Sequence, residues 1–429
     1  MTGLSRRRLL EGATALGVAA AAGGLSGCGS SASISSNPDE LVLWYWTRSV
    51  NPNLLKRAAR QIPGSPNMFI RGDTIGGTFD TKLRTSLAGH AYIPDISAIN
   101  SNASLYFPNE QLFTDLNKFG AAGEKDKYYD WKWSLGTTPT GRFCFWPMDT
   151  GPTGFYYRQD IFAKAGLPSD PGELSSAIST WDGFVEVGRK LRAKTNAAMV
   201  VNAQTIFDRI IDASPQRYFD AKNRPLFDRP DSTVRKAWNT AVQAIRAGVT
   251  ANLQTGTDQN AAWANGQVAG NVSAVWWAET LKATAPATKG KWRIASQPVR
   301  PGNFGGSFLT VPTTSKDPQA AFNFIRWLTT PVNQAKSFNA IQLFPSTPAS
   351  FASGIMKSEG DFFGSQSVLT FFRKAAEQVP TSFVSTYESL VSAFDTEITN
   401  VEAAGKDPDR AWRGAVDQTN RALSKRGVI

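Results

Sequence analysis

The sequence is poor in the residues from which most catalytic and metal sites are built. It holds one histidine, His90, and two cysteines, Cys28 and Cys144, in 429 residues. With a single imidazole, Ser-His-Asp or Cys-His chemistry would have to run through His90. That residue lies in Gly89-His90-Ala91-Tyr92, a loop in which it is expected to be exposed. Zinc-type ligand spacings, EF-hand loops and phosphate loops are missing, so neither a metal nor a cofactor is expected. Lys and Arg outnumber Asp and Glu by 46 to 35, yet they never cluster into a long basic run, which argues against nucleic-acid binding. The net charge of +11 reads instead as a solvated surface that keeps the protein soluble beside acidic lipid. Past the N-terminal region, no apolar stretch approaches the roughly 20 residues needed to cross a bilayer.

What is present begins at the N-terminus. Arg6-Arg7-Arg8-Leu9-Leu10 is followed by a weakly apolar Ala/Gly-rich stretch and then by Leu25-Ser26-Gly27-Cys28. That order is n-region, h-region and processing site. Arg6 and Arg7 with Leu9 and Leu10 resemble a twin-arginine export signal; an ordinary n-region for general secretion is the alternative. Leu25 to Cys28 resembles a bacterial lipobox, with small residues where a peptidase must fit the backbone and a thiol to accept the lipid. Residues 1–28 are thus expected to be a twin-arginine-type lipoprotein signal ending in the lipidated Cys28, and residues 29–39 a Ser-rich tether. The mature protein would sit outside the cytoplasm, anchored to the cell membrane. Cys144, between Phe143 and Phe145, would then have no disulfide partner and is expected to be a buried, inert thiol.

The body exceeds what one hydrophobic core usually supports, so two lobes are expected. Leu41 to Trp46 reads as a buried strand, Met68 to Ile70 as a second and Pro94 to Ile99 as a third, with a helix over Phe79 to Leu87 between them. Further on, helices are expected over Trp181 to Leu191, Thr233 to Ala247 and Ala320 to Leu328, and a strand over Met199 to Val201. This alternation predicts an α/β fold with largely parallel sheets. Gly- and Pro-rich breaks at Pro147 to Gly154, Pro298 to Gly306 and Phe344 to Pro348 suit three crossings between two lobes. Ligands of open α/β sheets bind at the carboxyl ends of strands, which singles out Trp46, Arg48, Asn100 and Asn102.

Several segments resemble the sugar-binding branch of the extracellular solute-binding proteins, the group that includes maltose-binding protein. Ser86-Leu87-Ala88-Gly89 followed by Pro94-Asp95-Ile96 resembles that family's helix ending in AG and strand opening in PDI. Gly141 to Arg158, continuing through Asp160-Ile161-Phe162 to Ala165-Gly166-Leu167, resembles its first crossing, with Arg158 where asparagine is usual. Thr180-Trp181-Asp182, Ala262 to Ala269, Gly305-Gly306-Ser307 and Ala320 to Leu328 follow in the family's order. The resemblance covers most of residues 40 to 425. It implies a periplasmic-binding-protein-like fold: two α/β lobes hinged around a central cleft, lobe 1 from 40–149 plus 305–345 and lobe 2 from 150–304 plus 346–429. It also implies a monomeric, non-catalytic component of an ABC transporter that captures a carbohydrate and delivers it to the permease subunits.

A sugar presents hydroxyls that seek polar partners and C–H faces that seek flat aromatic surfaces. Trp46 and either Trp276 or Trp277 are the candidate stacking residues. Asp149 and Thr150 lie in the first crossing. The Asp149 carboxylate could accept two sugar hydroxyls or be satisfied by backbone N–H groups. Asn100 and Asn102 could pair with hydroxyls or form local turns. Arg48 could meet a hydroxyl or an acidic ligand group, or stand in solvent, and Arg373 also leaves an anionic ligand open. Gly305 and Gly306 allow close backbone approach to the ligand or a bend at the hinge. The alternatives are a binding protein for a non-sugar solute and an exported glycoside hydrolase, for which Asp73 and Asp149 would be the carboxylates.

Overall fold

The computed structural model describes residues 34–58, 61–357 and 360–429. The export signal, the lipobox and Cys28 lie outside the described residues.

Two sheets form. The first has the order β2-β1-β3-β8-β4, built from β1 (Glu40–Tyr45), β2 (Phe69–Thr74), β3 (Ile96–Ile99), β4 (Trp146–Pro147) and β8 (Phe308–Thr310). The second has the order β6-β5-β7, from β5 (Thr153–Arg158), β6 (Gly270–Ala274) and β7 (Trp292–Ala295). Strand β1 is an interior strand, and its Leu41, Val42 and Leu43 are all apolar and completely buried, as a strand covered on both faces requires. Asp95 fixes it in place, one carboxylate oxygen accepting the N–H of Val42 at 2.9 Å and the other that of Lys316 at 3.0 Å. The helix Phe79–Gly89 turns Phe79, Leu83 and Leu87 onto this sheet, one every four residues. In the other half, Thr180 and Ser232 cap helices Trp181–Thr195 and Thr233–Arg246 by accepting backbone N–H groups.

Each sheet carries its own buried apolar cluster, one around Leu43, Ile99, Phe145 and Leu309 and another around Phe155, Phe162, Phe184 and Val272. The chain is therefore two α/β lobes. The sheets are less parallel than the sequence predicts. Only β1-β2 and β1-β3 run parallel, while β3-β8, β4-β8, β5-β6 and β5-β7 are antiparallel. Strands that lead into and out of the crossings run against their neighbours, because the chain leaves one sheet and returns to it. The strand expected at Met199 to Val201 is reduced to isolated parallel bridges, Ala198 to Val268 and Val200 to Thr250. Asn202 ends it at once by capping the next helix, Ala203–Asp212. Arg158, which stands where the resembling family usually has asparagine, is buried and pairs with Asp160 at 2.7 Å.

Three segments form the crossings: 148–152 and 296–307 connect the two sheets, and 342–347 runs beside them from helix Pro331–Ile341 to the turn Pro348–Ser353. They are laced together by short bonds. Met148 N donates to Ser307 O at 3.0 Å, Phe304 N to Gly151 O at 2.8 Å, and Thr150 N to Phe344 O at 2.8 Å. Cys144 is buried and unbridged, as expected, and burial pushes its thiol up to about 11. His90 is exposed, at the left-handed C-cap of helix Phe79–Gly89.

Candidate functional site

A cleft of about 470 Å³ opens between the lobes over the crossings. Trp46, Arg48, Asn100, Asp149, Thr150, Trp276, Gly305 and Gly306 all line it. They reach it from the carboxyl ends of β1 and β3, from the corner after β6, and from the first two crossings. Trp46 is half-buried, its ring set edge-on to Phe79 with centroids 5.1 Å apart. Arg48 is exposed and held at a positive φ of 66° in the turn that follows β1. Asn100 is exposed, and its Oδ1 accepts the N–H of Ser101 at 2.7 Å. Asn102 lies apart from these, lining an adjoining smaller cavity.

The two adjacent tryptophans part company at the corner between β6 and helix Trp277–Thr284. Trp276 is 37% exposed and faces the cleft. Trp277 begins the helix and points the other way, 3% exposed and packed edge-on to Tyr156, Trp263 and Trp292. The structure therefore places Trp277 in the core, off the cleft wall: consecutive helical residues point about 100° apart, so only one of the pair can face the opening.

The carboxylate of Asp149 is buried, and its Oδ1 accepts the N–H of Ser307 at 2.7 Å, linking the first crossing to the second. Burial raises its pKa above the usual range, while Lys132 nearby pulls it back. Lys132 is completely buried; its Nζ lies 3.4 Å from the ring centre of Phe308 and makes no hydrogen bond. Burial lowers its pKa to about 7 against the opposing attraction of Asp149. The Thr150 hydroxyl donates to the carbonyl oxygens of Phe344 and Pro345, at 3.3 and 3.0 Å, so its proton serves the third crossing. Gly305 and Gly306 have φ of 88° and 77°, and a Cβ on Gly305 would stand 2.8 Å from Trp276 Nε1.

Other residues line the cleft that sequence reasoning does not single out, Phe304, Glu279 and Gln342 among them. Phe304 stands beside the Gly pair, and Glu279 follows Trp276 by one helical turn, so each had a local signal. Arg373 pairs with Glu377 on the exposed side of its helix and does not line the cleft. Asp73 does not line it either; it pairs with Arg71 at 3.2 Å on β2. Among the described residues no cluster of His, Cys, Asp and Glu could hold a metal ion, and no helix is long and apolar enough to cross a membrane.

Known proteins share this arrangement. The sequence profile of the bacterial extracellular solute-binding proteins matches residues 73–335. The lactose-binding protein of Rhizobium radiobacter is 26% identical over 385 residues, covering 84% of this chain and 86% of that one. A solved structure described as an extracellular solute-binding protein family 1 superposes with a TM-score of 0.83 at 27% identity, covering 89% of this chain and 99% of that chain. The ABC transporter associated binding protein of B. animalis subsp. lactis Bl-04, solved with β-1,6-galactobiose, shares the fold with a TM-score of 0.70 at 21% identity, covering 92% and 99%. Because that profile matches more than half of the chain, the chain belongs to the bacterial extracellular solute-binding protein family.

Proposed function

We propose that the protein captures a carbohydrate in this cleft outside the membrane and delivers it, chemically unchanged, to the permease of an ABC importer. The observation that carries this reading is Trp276, a partly exposed indole set in a cleft that also presents Trp46 and the polar side chains of Arg48, Asn100 and Glu279. An aromatic face beside hydroxyl-pairing groups matches the two surfaces of a sugar ring. The similarity to a lactose-binding protein across most of both chains supports it. Trp46 and Trp276 would stack on the ligand, and Arg48, Asn100 and the outer oxygen of Asp149 would pair with its hydroxyls. Gly305 and Gly306 let the backbone approach. Closure would rotate lobe 1 (40–149 plus 305–345) against lobe 2 (150–304 plus 346–429) about the three laced crossings.

Binding without hydrolysis suits the two carboxylates of the cleft. Asp149 is tied to Ser307, and Glu279 pairs with Lys282 at 2.7 Å, so neither stands free as an acid facing a base. The protein would act as a monomer, exported by the twin-arginine route and held to the membrane by lipid on Cys28. Cys28→Ser releasing the protein from the membrane fraction would support that anchor.

A thermal-shift screen tests the central reading, because a ligand that binds only the folded state raises the melting temperature. Mono- and disaccharides, lactose and β-1,6-galactobiose included, are set against amino acids and short peptides. A rise with saccharides alone is the expected result. A rise with amino acids or peptides and none with any saccharide would overturn it.

A further inference from the structure

The second crossing is fastened to the end of helix Ala203–Asp212 at three points. Gln297 Nε2 donates to the carbonyl oxygen of Arg209 at 3.2 Å. Gly302 abuts the helix end so closely that an added Cβ would lie 2.7 Å from the carbonyl carbon of Asp212 and 2.8 Å from Ala213 N. At the third point the guanidinium of Arg209 lies over the ring of Phe304, its Cζ 3.6 Å from the ring centre. Phe304 is itself held through its backbone: its N–H donates to Gly151 O at 2.8 Å, and its carbonyl oxygen accepts the indole N–H of Trp276 at 3.0 Å. One stacked contact and one hydrogen bond therefore lead from Arg209 to the ring of Trp276.

An arginine is a costly way to pack this spot. Arg209 is buried, on a helix whose other buried residues are Ala203, Ile206, Phe207 and Ile211. A Met or Leu would cover Phe304 without desolvating a cation, and Nε of Arg209 is buried without a hydrogen-bond acceptor. What the guanidinium supplies is a plane. Its Nη2 pairs with Asp212 Oδ2 at 2.8 Å, and Asp212 Oδ1 accepts from Arg217 Nη2 at 3.3 Å. Arg217 in turn pairs with Glu388 at 3.3 Å. These ion pairs keep the guanidinium from turning, and a flat cation over an aromatic face sets the orientation of the ring as well as its distance. Arg209 does not line the cleft.

We propose that Arg209 is a positioning residue for ligand stacking: from behind the cleft wall it orients Phe304 and, through the Phe304 carbonyl, the ring of Trp276. The inference rests on the carbohydrate reading and deepens it, adding a residue that touches no ligand to those that do. Held in this way, the stacking wall is ordered in the empty protein, and binding does not have to order it. A role confined to folding the second lobe would instead show in helix Thr233–Arg246, which packs along helix Ala203–Asp212.

Hydrogen exchange without ligand, and calorimetry with lactose and β-1,6-galactobiose, test this on the wild type, Arg209→Met, Trp276→Phe and the double variant. In Arg209→Met, exchange is expected to quicken at 276–280 and 304–307 and to keep its wild-type rate over 233–246. Trp276→Phe keeps a ring but loses the N–H to the Phe304 carbonyl, so it breaks the link. Arg209→Met is accordingly expected to weaken saccharide binding about fivefold in the wild-type background and by less than about twofold in the Trp276→Phe background. Arg209→Lys, which keeps a cation beside Asp212 but lacks the planar group, is expected to repeat the pattern and serves if Arg209→Met fails to fold. Exchange unchanged at both segments, or quickened equally over 233–246, overturns the positioning role, as does the same loss of affinity in both backgrounds; the carbohydrate reading then stands. A wild type that binds neither saccharide, and no other in the thermal-shift screen, overturns both.

Discussion

The indole N–H of Trp276 donates to the carbonyl oxygen of Phe304 at 3.0 Å, and the two rings lie 5.2 Å apart at 52°. This bond ties the corner after β6 to the second crossing. It engages the polar edge of Trp276, so what remains for the cleft is ring surface. Phe304 is held in turn by the guanidinium of Arg209, 3.6 Å from its ring centre. A stacking surface so braced is set in place before any ligand arrives, which reduces the ordering cost of binding.

The two neighbouring tryptophans separate binding from stability. Trp276→Ala is expected to weaken sugar binding at least tenfold with little change in unfolding free energy. Trp277→Ala removes a core ring and is expected to cost about 3–5 kcal/mol of stability. Calorimetry and urea unfolding on both variants check this; the reverse pattern would exchange their roles.

Gly306 is fixed by geometry. Its φ is 77°, and an added Cβ would lie 2.8 Å from the carbonyl oxygen of Asp149 and 2.9 Å from Thr150 Cα. Both neighbours are backbone of the first crossing and cannot swing aside. Gly306→Ala is expected to lose at least the roughly 1–2 kcal/mol that a left-handed conformation costs an L-residue. A variant with the wild-type urea midpoint would contradict the close packing of these crossings.

Lys132 makes stability depend on pH. Its folded pKa is lowered to about 7, with burial the largest cause, whereas an unfolded lysine titrates near 10.4. Between those values the unfolded chain holds the proton and the folded chain does not, so this group makes stability rise with pH across that window. Below about pH 7 both states are protonated and its contribution is level. Urea midpoints taken from pH 7 to 10 should climb in the wild type relative to Lys132→Met. Parallel profiles for the two proteins would show that Lys132 is not titrating in the folded state.

The first crossing is legible in the sequence because Pro147 to Arg158 carries its turn residues and strand pattern in one contiguous stretch. The floor of the cleft is legible for the same reason, since Gly305 and Gly306 mark a close approach wherever they fall. Trp276 and Trp277 cannot be told apart by composition: each is an indole at the end of an apolar run, and only the angle at which the helix starts decides which one faces out. The ion pair of Arg217 with Glu388, 3.3 Å apart, is invisible in the sequence because residues far apart along the chain form it. The antiparallel ladders of β5 are hidden too, since burial on both faces makes all six of its residues read like a parallel strand.

Hydrogen exchange, read by mass spectrometry with and without the saccharide that most stabilises the protein, tests the central claim most directly. A carbohydrate seated between the lobes predicts slower exchange at 100–104, 276–280 and 304–307 together, since these segments wall the cleft and its adjoining cavity. Protection confined to one lobe, or appearing instead in the outer groove along Thr81 to Gly89, would contradict it.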